Sequence, residues 1–390
     1  MIKFSAVGDI ALFGRYNEII NNNGFEFPFS LIAPHLSNRD IIFGNLECPL
    51  SDKGKPDNSK PISLCGSPKA INALDHCGIT HVSLANNHIY DYGELAAIDT
   101  QNRLTNAGIH YCGAGKNLSE SRKPIIKETS GMSLAILAYS AYTTNGRKIA
   151  SKNSQGFAPL NYNYLKEDIG LIKKKNSNCK IILSFHWGVE MNQYPTPFQQ
   201  KLARRIIDDG ADIIIGHHPH VVQGIERYNN GLIVYSLGNF CFPNVESPHF
   251  KGIGYNQKSI NRESFIFDCD LSNSGIQNYS IRPFIINDTL QPELANGANK
   301  IRINKLVESL SIPLNKENYP NYYKEKNNKP LKSKNKLYTI IYNEGISGLI
   351  KRFNLMYIKA HLIALLNKIK EKKHRKNFYK QYIFIKNKIN

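Results

Sequence analysis

Short apolar runs recur along the chain, and each is stopped by Gly, Asn or Asp. The runs "IKFSAVGD", "DIIFGNLE", "HVSLANN", "SLAILAYS", "KIILSFHWG", "DIIIGHH" and "LIVYSLGNF" are rich in Ile and Val and read as strands. Between them the apolar spacing changes to a helical period. One helix is expected from about Gly93 to Ala107, with Leu95, Ile98 and Leu104 inward and Gly108 as its stop. Another is expected from about Thr196 to Asp209, with Phe198, Leu202 and Ile206 on one face and Gly210 after it. Gly just past a helix accepts the left-handed turn that ends it. Strands alternating with helices predict an α/β layered fold. Residues 286–336 are rich in Asn, Lys and Pro and read as a polar linker. The main domain is therefore expected over 1–285 and a separate tail over 337–390.

Charge sharpens that division. Of a net charge of +19 on 390 residues, about +15 falls after residue 320. In the tail, Ile350, Phe353, Tyr357 and then Leu355, Ile358, Leu362, Leu365 and Ile369 alternate with Lys351, Arg352, Lys359, Lys368 and Lys370. This is the pattern of a basic amphipathic helix, which lies on an anionic membrane surface or packs its apolar face on the body. No nucleic-acid-binding module accompanies the charge, so nucleic acid is not an expected partner. An apolar content of 41% excludes a disordered chain, and seven scattered cysteines without a Cys-x-x-Cys pair read as reduced thiols. Asp9 interrupts the first apolar run before a signal-peptide core forms, and no run of about 18 apolar residues follows. The expectation is a cytoplasmic protein, peripheral on the inner membrane face.

Polar residues with metal-binding chemistry gather where the strands end. Asp9 follows the first, Asn45 and Glu47 the second, and Asn86, Asn87 and His88 the third; His186 and Glu190 follow a later one. The stretch "DIIIGHHPH" then ends a buried-looking strand with His217, His218 and His220. Loops beyond the carboxyl ends of strands form the ligand site in layered α/β folds. A mixed set of carboxylates, amides and imidazoles suits Mn, Fe, Zn or Mg. Each element also has a plainer reading: an Asp after a strand caps a helix, Asn-Asn makes a turn, and His186 beside Trp187 packs in a core. Three histidines in four residues at a strand end are poorly explained by packing.

The series "GDIALFGR", "GNLECPL", "SLANNHIYDYG", "HWGVE", "GADIIIGHHPHVVQGIE" and "IVYSLGNF" resembles the CapA family. These are bacterial capsule-synthesis proteins linked to poly-γ-glutamate production and related to calcineurin-like metallophosphoesterases. The resemblance implies a four-layer α/β/β/α sandwich with two divalent metal ions on one rim. It further implies Asp9, Glu47, Asn87, His186, His218 and His220 as metal ligands, with Glu47 bridging. His88 would meet the substrate as proton donor, oriented by Asp91. Asn45, Asn86, Glu190, His217 and Asn239 would line the substrate or support the ligands. The extra histidine leaves open which of His217 and His218 is a ligand, and Ala11 stands where related enzymes carry a further histidine. The implied function is metal-dependent hydrolysis of a phosphoester or amide in an anionic polymer during capsule biosynthesis. The alternatives are a non-catalytic membrane-associated assembly factor and a general cytoplasmic phosphodiesterase.

Overall fold

The computed structural model describes residues 1–327 apart from 59, 130, 145, 147 and 248–253, together with 366, 369–370 and 372–378. The chain begins one sheet, builds a second, and returns to finish the first. It opens with β1 (Ile2–Ile10), β2 (Ile41–Leu46), β3 (His81–Ser83) and β4 (His110–Cys112), joined through α1 (Arg15–Asn23), α2 (Ala70–His76) and α3 (Gly93–Asn106). The second sheet contains β5 (Ile125–Thr129), β6 (Met132–Ser140), β7 (Lys180–His186), β8 (Ile213–His217), β9 (Ile225–Tyr228) and β10 (Gly231–Val234), with α4 (Tyr162–Lys175) and α5 (Pro197–Asp208) as crossovers. The return adds β11 (Asn239–Cys241), β12 (Glu263–Ser272), β13 (Gly275–Ile286) and β14 (Pro292–Leu294), then α6 (Gly297–Ser311) and α7 (Tyr319–Asn327).

The first sheet runs β14-β13-β12-β1-β2-β3-β4 with β11 against the end of β1, and the second runs β9-β10-β8-β7-β6-β5. Side-chain alternation makes the layers. On β1 and β2, Phe4, Ala6, Ile41 and Phe43 meet Leu134, Ile136, Ile182, Ile213 and Ile215 between the sheets. Val7, Ile42 and Val82 face Tyr16, Ile71, Leu74 and Leu104 of the first helical layer, while Ile181, Leu183 and Ile214 face Leu165, Leu202 and Ile206 of the second. The result is the four-layer α/β/β/α order. Strands buried on both faces lose the polar–apolar alternation of half-exposed strands, hence the continuous apolar runs. The α5 helix starts at a capping box in which Thr196 Oγ1 accepts from the Gln199 amide, which satisfies an otherwise orphaned donor.

Three details depart from the expectations. Leu95 of α3 points outward at 66% exposed; Ala96, Ala97 and Thr100 face inward instead, because small side chains let α3 lie against the loop after β2, where Thr100 Oγ1 accepts from Leu50 N–H. The run "LIVYSLGNF" is not one strand, since β10 lies in the second sheet and β11 in the first, with the crossing at Gly238 in a left-handed conformation (φ 79°). The stretch 286–336, expected as a loose polar linker, is built into the body over its described residues. Ile303, Val307 and Leu310 of α6 are buried between the sheets and Tyr319 of α7 against the second helical layer. Their i, i+4, i+7 spacing puts the apolar residues of α6 on one face.

The expected amphipathic helix of the tail lies outside the described residues apart from Leu366, Ile369 and Lys370. Farther along, residues 372–378 are helical and dock on the body through His374 and Phe378. Phe378 packs on Tyr162 and Phe198, and His374 Nε2 accepts from Tyr162 N–H at 3.0 Å, capping α4. Among the described residues no helix is long and apolar enough to cross a membrane.

Candidate metal centre

Parallel pairing aligns the strand ends. Asp9 lies beside Asn45 on one side and Asn239 on the other, and His186 lies beside His217. Two glycines let the crossing segment run close to both sheets. A Cβ on Gly8 would stand 2.0 Å from the Gly238 carbonyl oxygen, and one on Gly216 would stand 1.8 Å from that of Tyr235. Only glycine fits such an approach. Asp9 N–H consequently reaches the Gly238 carbonyl at 2.9 Å.

Two groups of ligand atoms meet at this rim. Asp9, Glu47 and His186 form one and Glu47, His218 and His220 the other, each with its atoms within 4.8 Å of one another. Glu47 belongs to both. All five side chains are buried. His186 Nε2 is 3.5 Å from Glu47 Oε1 and 2.7 Å from Asn87 Oδ1, so Asn87 joins the first group. Asn45 spans the cluster: its Nδ2 donates to Asp9 Oδ1 at 2.9 Å and lies 3.2 Å from His186 Nδ1. Asn239 Nδ2 donates to Tyr255 Oη and to the Asn261 carbonyl, which turns its Oδ1 toward His220 Nδ1 at 3.0 Å. That contact fixes a proton on Nδ1 and leaves Nε2, 3.8 Å from Glu47 Oε1, as the nitrogen that would be freed to bind a cation. His218 and His220 hold left-handed backbone (φ 97° and 57°), costly for residues with a Cβ and frequent at functional sites.

The fit to a cation rests on unspent polar capacity. Glu47 Oε1, His217 Nε2 and His218 Nδ1 are buried without a hydrogen-bond partner, although such groups are nearly always paired. Burial, then the charge of Asp9, pushes the Glu47 carboxyl well above its ordinary range. Burial alone would raise Asp9 too, but contact with His217 and His220 outweighs it and holds that carboxyl well below the usual range. Burial keeps His186 neutral with help from His218 and pushes His218 down to about 4. Against burial, Glu47 and Asp9 push His220 up to about 10. The neutral imidazoles of His186 and His218 beside crowded carboxylates suit a divalent cation, whose binding would displace the extra proton of His220.

The remaining expected residues fall around this cluster. His217 lies near Phe43 with Nδ1 3.3 Å from Asp9 Oδ1, while His218 and His220 are the histidines grouped with Glu47. Asn86 is a structural clamp, donating to the Leu46 carbonyl and accepting from His88 and Ile89 N–H. Glu190 lies on the loop after β7, its residue surface open to solvent while its carboxyl end is desolvated by the site; that desolvation, which would raise the carboxyl, is outweighed by His218, His220 and His88, which lower it. His88 Nδ1 meets Asp91 Oδ2 at 2.6 Å. Sequence reasoning missed one residue here. Lys60, only 7% exposed, pairs with Asp91 and donates to the Asn87 carbonyl at 2.8 Å. No local signal marks it, because it comes from a polar stretch that becomes a wall of the site only through tertiary contact.

Comparison with known proteins places this geometry in a family. The family model described as "Bacterial capsule synthesis protein PGA_cap" matches residues 3–244. The capsule biosynthesis protein CapA of Bacillus anthracis is 36% identical over 246 residues, covering 62% of this chain and 60% of the relative. The PGA biosynthesis protein CapA of Bacillus subtilis (strain 168) is 34% identical over 246 residues, covering 62% of this chain and 63% of the relative. The chain thus spans less than two thirds of the length of these curated relatives. Among solved structures, a NAD nucleotidase of Haemophilus influenzae is 11% identical, with a TM-score of 0.40 over 83% of this chain and 60% of that one. The match over residues 3–244 contains all the candidate ligands, and the chain belongs to the bacterial capsule synthesis protein family PGA_cap.

Proposed function

We propose that the protein is a metal-dependent hydrolase of capsule or surface-polymer synthesis, cleaving a phosphoester or amide bond in an anionic substrate. The observation that carries the reading is Glu47, a buried carboxylate shared by two ligand groups and left with an unpartnered oxygen. Two divalent ions are the occupancy proposed, held by Asp9, Glu47, Asn87 and His186 on one side and Glu47, His218 and His220 on the other. Such ions supply Lewis acidity and an activated water at neutral pH. The chain supplies the rest. Asn45 fixes the carboxylate of Asp9, and Asn239 fixes the tautomer of His220. With Nδ1 of His88 engaged by Asp91, Nε2 is the nitrogen free to give a proton to a leaving group, help typically worth about 10²–10⁴ in rate.

The capsule context rests on the relatives, which are capsule and PGA biosynthesis proteins. Contact between residues 337–390 and an anionic membrane surface belongs to the same proposal, supported by the tail's charge and by exposed Leu366, Ile369, Lys370, Lys372 and Lys373. Elemental analysis of the purified protein, paired with hydrolysis assays on phosphodiesters and on poly-γ-glutamate, tests the reading. Bound transition metal with turnover of either class supports it. Absence of metal under every loading condition overturns it in favour of an assembly factor.

A further inference from the structure

The polar stretch before the catalytic turn is bound to it along its length. A Cβ on Gly54 would stand 2.0 Å from the Tyr92 carbonyl oxygen, and Gly54 accommodates the approach with φ 83°. Lys55 N–H donates to the Tyr92 carbonyl at 3.3 Å and Asp57 N–H to the Asp91 carbonyl at 2.7 Å. Lys60 Nζ reaches both the Asn87 carbonyl, at 2.8 Å, and Asp91 Oδ1. Leu64 N–H closes the strap on Asp91 Oδ2 at 2.8 Å. The same Oδ2 receives His88 Nδ1 at 2.6 Å. A buried lysine thus grips both ends of the Asn87–Asp91 turn, whose two working side chains have different partners: Asn87 meets His186, and the part-exposed His88 meets Asp91.

We infer that Lys60 is a positioning residue, and that the strap 54–64 uses it to hold the Asn87–Asp91 turn so that His88 can protonate a leaving group. The kinetic part rests on the hydrolase reading; the mechanical part does not. In the step concerned, the bond from phosphorus or carbonyl carbon to the leaving atom breaks. His88, doubly protonated when it acts, passes its Nε2 proton to that atom; the attacking water supplies the replacing oxygen and loses a proton to solvent, from which His88 is reprotonated. Lys60 touches neither substrate nor reacting atoms. Its two contacts fix the turn, and the Asp91 contact leaves Asp91 one fixed partner on each oxygen besides His88.

The test compares Lys60→Met and Gly54→Ala with the parent, all loaded with manganese. The second variant pushes the strap away while retaining the lysine. Amide hydrogen exchange is read first. Both variants should speed exchange across residues 86–93 about tenfold while the sheets stay protected. Unchanged exchange in Lys60→Met overturns the inference. Turnover of 4-nitrophenyl and unsubstituted phenyl phosphodiesters is read second. Both variants should lose about tenfold on the phenyl ester, which needs the proton, and much less on the nitrophenyl ester, with KM unchanged. Equal losses on both esters overturn the positioning of His88. Faster exchange in the variants, with a parent that hydrolyses neither ester nor poly-γ-glutamate, supports the strap and sinks the hydrolase reading instead.

Discussion

Two buried aspartates serve the same strand and live differently. Asp268 of β12 lies alongside β1 and is saturated: Ser5 Oγ donates to it at 2.5 Å, Arg282 binds both its oxygens at 2.5 and 2.9 Å, and Arg39 adds a contact at 3.0 Å. Asp9, at the end of β1, sits among Glu47 and three histidines with buried nitrogen and oxygen atoms left over. Both are surrounded by charge and both are buried. A cluster whose valences close within the protein serves stability, whereas one whose valences stay open costs stability until something binds.

Breaking the saturated cluster should have the largest effect on folding. Asp268→Ala strands Arg39 and Arg282 and should cost about 3 kcal/mol in chemical denaturation, toward the lower end for a broken buried pair because the arginines are partly exposed. Metal content should not change; a loss of metal would mean the two clusters are not independent. Next in size is the open cluster. His186→Ala combined with His218→Ala should reduce bound metal more than tenfold and remove the stabilisation that a divalent ion gives the parent, about 2.7 kcal/mol at a hundredfold excess over Kd. A double variant that still gains stability from metal would place the site elsewhere. A smaller effect of opposite sign is expected for Glu47→Gln. Without metal it relieves the crowding of two buried carboxyls and should raise stability by about 1 kcal/mol; with metal the order should invert. A denaturation series that ranks the pair identically in both conditions would break the contrast.

The last expected effect lies outside both clusters, at the tail. Burial, with Arg375 nearby, pushes His374 down to about 4. An imidazole kept neutral when docked adds nothing above its ordinary value, near 6.5. As pH falls from there toward 4 the undocked form takes up the proton first, so docking weakens by at most about 1.4 kcal/mol per unit. Proteolysis within 366–378 should therefore quicken from pH 7 to 5, while His374→Gln should show no such dependence. An equal pH response in both would remove His374 from the contact.

The sequence carried the metal centre further than it carried the strap or the linker. Each strand end is a local event, a run of Ile and Val stopped by a polar ligand type, so Asp9, Glu47, His186 and the histidine cluster could be picked out one by one. The different directions of His217 and His218 were also written locally. Ile213 and Ile215 face between the sheets, and two-residue alternation sends His217 the same way. Lys60 could not be read in this manner, because its burial depends on a chain segment wrapping a turn 27 residues away. The 286–336 stretch was misjudged from its polar content, although Ile303, Val307 and Leu310 already had helical spacing. The long β12–β13 hairpin, with Asn273 and Ser274 at its turn, went unanticipated because its strands mix apolar residues with charges such as Asp268 that are neutralised only in the folded chain.

Glu47 has a final consequence as the one carboxylate common to both ligand groups. Two cations held there would not bind as independent events. Filling one position changes the charge and posture of the shared group, and thermodynamic linkage makes the influence mutual and equal in both directions. A calorimetric titration should therefore depart from two separate isotherms, and Glu47→Gln should do more than weaken each step: it should uncouple them.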